Sequence, residues 1–159
     1  TCAILKISAS SPLSILSLEE CKEIIDYLEE NKNEIFDLVF DCTDNHENKI
    51  LSSQLCKKNK IAYVSISINS TEGVYFSQNY KKDATACFAC LFPLTDLNHR
   101  CLNSAMIGPV AGFVTSLACT KIIFALANSS NNLKSEINLI DLLTTDINKL
   151  QLADINCPH

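Results

Sequence analysis

Two short apolar runs, FDLVFD at 36–41 and IAYVSISI at 61–68, flank a helical pattern at 46–58. The first is bounded by acids and suits a buried strand. The second is β-branched and alternating. Strands separated by a single helix connect by right-handed crossovers and lie parallel. Residues 12–17 (PLSILS) are a candidate earlier strand. Residues 18–30 (LEECKEIIDYLEE) carry Cys21, Ile24, Ile25 and Leu28 at helical spacing, with Ser17 as N-cap and Glu20 at the capping-box position. The pattern therefore predicts an α/β fold, a Rossmann-like parallel sheet with crossover helices. Residues 1–10 carry no clear pattern and are compatible with the tail of a helix.

Farther along, Asn69–Gly73 is turn chemistry, and residues 74–80 resume strand character. A polar stretch then leads to a cysteine pair and Pro93, and residues 94–103 read as a loop. Residues 105–127 (AMIGPVAGFVTSLACTKIIFALA) hold one charge, Lys121. That length would suit a bilayer. The interspersed Thr115, Ser116, Cys119 and Thr120, and the lack of a positive cluster at either end, favour an enclosed core helix led by Gly108-Pro109. Residues 136–141 and 145–152 predict a C-terminal β-hairpin. The 159 residues suit one domain, 1–159.

Composition narrows the function classes. The net charge is −5 and Arg100 is the only arginine. This is a poor surface for phosphate backbones, so no nucleic-acid partner is expected, and no membrane association either. The three glycines, Gly73, Gly108 and Gly112, cannot spell GxGxxG or GxxxxGK[ST]. The nine cysteines are odd in number and mostly scattered among apolar or helical neighbours. This argues against a secreted disulfide framework and for a cytoplasmic, reducing compartment.

Three groups could carry chemistry. DCTDN at 41–45 lies where a buried strand ends and a helix begins, the edge at which open α/β sheets bind ligands. A carboxylate there can hold Mg²⁺ beside a triphosphate, or Asp44 or Asn45 can simply cap the helix. Cys87-Phe88-Ala89-Cys90 places two thiols within reach of one ion, and Cys157-Pro158-His159 could complete a zinc knuckle, with His159 or a residue at position 160 as fourth ligand. A redox dithiol and a pair of unligated thiols are the alternatives. Cys101 follows His99-Arg100 in the loop, where a nearby cation favours the thiolate. It is a candidate nucleophile or a bystander. Cys42, Cys56 and Cys119 are expected to be buried.

Taken in order, DCTDN, CFACLFP, the loop cysteine, the Gly-Pro-led apolar helix and the terminal CPH resemble the ubiquitin-activating-enzyme superfamily in its bacterial ThiF/MoeB/HesA form. The resemblance runs from about Phe36 to His159. It implies that Asp44 engages Mg²⁺ and ATP, with Asn45 and Lys49 beside it. It also implies that Cys87, Cys90 and Cys157 hold structural Zn²⁺. Cys101 falls where some members carry a thiol that links to the carrier. Lys49 stands where the family usually has Arg, which keeps the charge but loses the planar fork. The implied activity is adenylation of the C-terminal glycine of a small β-grasp, ubiquitin-like sulfur-carrier protein by a homodimeric parent. The family's glycine-rich ATP loop precedes the matched region. The chain thus resembles a C-terminal two-thirds piece, inactive by itself. A non-catalytic, zinc-stabilised α/β interaction module is the alternative.

Overall fold

The structure is a computed structural model. It describes residues 37–43, 46–81, 86–93, 106–127, 133–152 and 157, and the backbone of 4–8 and 11–15. Its elements are β1 (Ile4–Ser8), β2 (Ser11–Ile15), β3 (Leu38–Asp41), α1 (His46–Lys58), β4 (Ala62–Asn69), β5 (Glu72–Asn79), α2 (Phe88–Leu91), α3 (Gly108–Ala127), β6 (Glu136–Asp141) and β7 (Asp146–Gln151). The helix expected over 18–30 and the loop expected over 94–103 lie outside the described residues.

The fold is mixed α/β. The predicted strand–helix–strand unit is present. β3 and β4 pair in parallel, from Leu38↔Ala62 to Asp41↔Ser65, with α1 as the crossover. The all-parallel expectation fails beyond that pair. The sheet has seven strands in the order β2-β1-β3-β4-β5-β6-β7, and every other neighbour is antiparallel. For β4 and β5 the reason is connection length. Only Ser70 and Thr71 separate β4 from β5, and a two-residue link can make a hairpin but not a crossover. Ser70 takes φ 54, the positive angle such tight turns use. Residues 4–8 form a strand rather than a helix tail, and β1 lies antiparallel between β2 and β3. The C-terminal hairpin forms as expected, with β6 paired to β7 from Asp141↔Asp146 to Glu136↔Gln151.

Period-2 alternation divides β4 between two cores. Ala62, Val64 and Ile66 face α3, together with Leu38, Phe40 and Tyr75. Tyr63 faces α1 and α2, together with Phe76, Ile50 and Phe88. The sheet is thus the middle of three layers.

α3 corrects the enclosed-helix expectation. Its buried residues are Val110, Val114, Ala118, Ile122 and Ala125, one stripe at helical spacing. On the other side Phe113, Ile123 and Phe124 are 41%, 63% and 66% exposed. By length and composition alone α3 could cross a membrane, yet its inner stripe is seated on the sheet. Gly73 permits the seating. It is a residue of β5 rather than a turn residue, and a Cβ there would run into Val114 Cγ2.

A charged cluster ties α3 to the edge of the sheet. Glu136 is buried in β6. It accepts hydrogen bonds from Lys121 of α3, from Lys149 of β7 at 2.7 Å and from Asn138 Nδ2 at 3.2 Å. Burial would raise its carboxyl pKa, but the ammonium groups and the amide outweigh it and bring the value to about 2. A carboxyl depressed on folding stabilises above its unfolded pKa and loses that contribution as pH falls through the folded value. Lys149 is partly exposed and screened, so the contribution is roughly 1–2 kcal/mol. Urea midpoints should therefore fall between about pH 5 and pH 2, with a shallower fall in Glu136→Gln. Equal slopes in the two proteins would refute this.

Candidate functional site

The first candidate lies at the carboxyl end of the parallel pair. Asp41 closes β3 and is fully buried. Its Oδ1 accepts the Thr43 N–H at 2.8 Å, an Asx turn that starts the connection toward α1. Its Oδ2 accepts the Tyr63 hydroxyl at 2.7 Å. Lys49, in the first turn of α1, is 3% exposed. Its Nζ is 3.6 Å from Asp41 Oδ1 and donates to Ser65 Oγ at 3.1 Å and Ile66 O at 2.8 Å. Burial first, and the Asp41 charge second, push the Tyr63 hydroxyl well above its ordinary value. The network ties the end of β3 to the first turn of α1 and to β4.

Asp44 and Asn45, the centre of the sequence-predicted nucleotide site, lie outside the described residues. Lys49 is described, and it is committed to Asp41 and β4 inside the protein. Asp41 enters the sequence reading only as the first residue of DCTDN, and Tyr63 and Ser65 not at all. The period-2 pattern of IAYVSISI puts Tyr63 and Ser65 on one face, and the acid ending FDLVFD is the charge that face would need.

The second candidate is a thiol cluster. Cys87 precedes the short α2, and Cys90 lies within it. The chain after β7 brings Cys157 to the pair. The three sulfurs are 3.6 Å (Cys87–Cys90), 3.3 Å (Cys90–Cys157) and 3.5 Å (Cys157–Cys87) apart. A disulfide needs about 2.05 Å. Thiolates about 2.3 Å from one tetrahedral ion stand roughly 3.8 Å apart. The spacing fits three corners of such a site, and these thiols form a group that could hold a metal ion.

Burial first, then hydrogen bonding with Cys157, pushes the Cys87 thiol up to about 12. A redox dithiol needs a lowered thiol pKa, whereas a metal can displace the proton of a raised one. The site fits a soft-ligand ion such as zinc. His159 and Cys101 lie outside the described residues.

None of the six cysteines among the described residues is in a disulfide. Cys56 is buried as expected, but Cys42 and Cys119 are only half-buried. Cys42 follows the end of β3, and Cys119 lies beside the inner stripe of α3. Burial first, and Asp41 second, push the Cys56 thiol far up.

This arrangement of sheet and helices has known counterparts. The family model for the ThiF family matches residues 13–159, and the chain belongs to that family. The adenylyltransferase and sulfurtransferase MOCS3 of Caenorhabditis briggsae is 30% identical over 117 residues, 70% of this chain and 29% of that protein. The molybdopterin-synthase adenylyltransferase of Escherichia coli strain K12 is 28% identical over 117 residues, 73% of this chain and 47% of that protein. Escherichia coli MccB, crystallised with AMPCPP and selenomethionine MccA, superposes with a TM-score of 0.60 at 16% identity, over 90% of this chain and 42% of MccB. That likeness is one of fold. The chain spans less than half the length of each of these relatives.

Proposed function

We propose that the protein containing this chain is an adenylyltransferase that activates the C-terminal glycine of a small β-grasp, ubiquitin-like sulfur-carrier protein. The carrier carboxylate attacks the α-phosphorus of ATP, pyrophosphate leaves, and an acyl-adenylate forms. The observation that carries this reading is the buried Asp41–Lys49 pair, which ties the end of β3 to the first turn of α1 at the carboxyl edge of β3 and β4. Membership of the ThiF family and relatives named adenylyltransferases support it.

We assign Asp44 and Asn45 to Mg²⁺-ATP, with Lys49 acting through its buried pair with Asp41 on the start of α1 rather than on the nucleotide. Mg²⁺ would neutralise phosphate charge, so the protein contributes mainly by positioning. Cys87, Cys90 and Cys157 would hold Zn²⁺ as a structural tether, and Cys101 would receive the activated carrier or stand by. We place the protein in the cytoplasm, where free thiols persist, and read the parent as a homodimer. Residues 1–159 by themselves would be inactive, since no glycine-rich phosphate loop lies among them.

The same lack of a phosphate loop within these residues favours one second reading, a zinc-stabilised interaction module. ATP–pyrophosphate exchange by the full-length parent separates the two. Exchange is expected, Asp44→Ala should abolish it with the fold intact, and Cys101→Ala should spare it. Exchange that survives Asp44→Ala would make Asp44 a helix cap only. A parent with no exchange and no ATP binding would be the module.

A further inference from the structure

The thiol cluster is not held by its own loop alone. The Phe88 N–H, one residue after Cys87, donates to Ser53 Oγ of α1 at 2.9 Å, and the bond is buried. Ser53 Oγ is in turn 2.7 Å from the Tyr80 hydroxyl just past β5. At the other end of the short helix, His46 Nε2 lies 2.8 Å from the Phe92 carbonyl oxygen. A carbonyl only accepts, so that nitrogen carries the proton. The His46 ring also packs on Phe88 at 5.5 Å, and Phe76 meets Phe88 edge-on at 5.5 Å. Within the turn, the Cys90 N–H donates to Cys87 O at 3.1 Å. The segment bearing two thiols is thus pinned at Phe88, directly after Cys87, and at Phe92, two residues after Cys90, by side chains from other elements. α2 is one turn long and could not hold its shape unaided.

We infer that Ser53, Tyr80 and His46 are positioning residues for the metal: they hold the Cys87–Cys90 half-site against α1 in the arrangement that an ion needs. This rests on the three thiols being a metal site. Partners around a ligand shell typically change metal affinity by about 10–100-fold when removed. The side chains here act on the ligand-bearing backbone rather than on the sulfurs.

The test uses the full chain with Zn²⁺ competed against a chromophoric chelator, and Co²⁺ to read thiolate charge-transfer absorption. The wild type should bind both ions. Ser53→Ala should weaken Zn²⁺ binding about 10–100-fold, and Tyr80→Phe about tenfold. His46→Ala should shift affinity in the same direction, and Ser53→Thr, which keeps the hydroxyl, should restore binding. The rise in melting temperature on adding Zn²⁺ should shrink in the weakened variants. A residue that merely supports the fold would lower the melting points with and without Zn²⁺ equally and leave affinity alone, and that result would overturn the inference. Wild-type affinity in all three variants would overturn it while leaving the metal site standing. No thiolate band in the wild type would remove the metal reading and this inference together. If Ser53→Ala does not fold, Tyr80→Phe decides, since it keeps the ring and its packing.

Discussion

Asp41→Ala should cost about 3–5 kcal/mol of folding stability, the range for removing one partner of a buried ion pair. Asp41 is fully buried, and the Lys49 side chain is 4% exposed. Without the carboxylate, a buried ammonium is left with bonds to Ser65 Oγ and Ile66 O, both uncharged. The Thr43 N–H loses the Asp41 Oδ1 acceptor, and the Tyr63 hydroxyl loses its 2.7 Å bond to Oδ2 while keeping the Lys49 carbonyl oxygen at 3.1 Å. Asp41→Asn keeps an oxygen for Thr43 but removes the charge, and should cost about 2–3 kcal/mol. Adding Lys49→Met to Asp41→Asn should recover part of the loss, because both charges then leave together. Urea unfolding at unchanged slope measures each value. A loss under about 1 kcal/mol for Asp41→Ala would mean that the pair is solvated and clamps nothing.

Zinc should raise the melting temperature of the wild type by about 8–16 °C at a thousandfold excess over its dissociation constant. Ligand at that excess adds about 4 kcal/mol, and 1 kcal/mol moves the midpoint by about 2–4 °C in a chain of this size. Cys87→Ser should abolish the increment, because a two-thiol remnant cannot close a tetrahedral site. The damage should be local. The core under α3 shares none of its members with the thiol cluster, so the sheet should survive. Amide exchange should show lost protection around 86–93, with β3, β4 and β5 unchanged. A wild type whose melting point ignores zinc would sink this prediction. Equal loss of protection across β3 to β5 would contradict the local character.

Local pattern was enough for the elements themselves. The apolar spacing of Ile50, Leu51 and Leu55 marked a helix over 46–58, where α1 forms. The alternation in IAYVSISI marked β4, and the two runs around Leu143–Thr145 marked the terminal hairpin. The CxxC spacing and Cys157 named the thiols that meet in space. These features are legible because period, composition and short spacing are properties of single segments.

Strand direction, the seating of α3 and the two buried networks were decided by tertiary structure. Whether β5 runs parallel or antiparallel to β4 depends on the link between them and on its partner, not on its own alternation. A helix apolar on every side carries no mark of which stripe will be buried. Gly73, which lies far from α3 in sequence, leaves room for Val114 and selects that stripe. Asp41 and Lys49 are eight positions apart across a strand end and a helix start, and Ser53 and Phe88 belong to different elements. Their attraction requires that water be excluded first, and only the packed sheet and its two helical layers exclude it. The sequence by itself thus determined which segments form helices and strands and which residues carry the chemistry, whereas the packed fold decided which of them meet, because burial converts weak, screened contacts into ones strong enough to hold a loop in place.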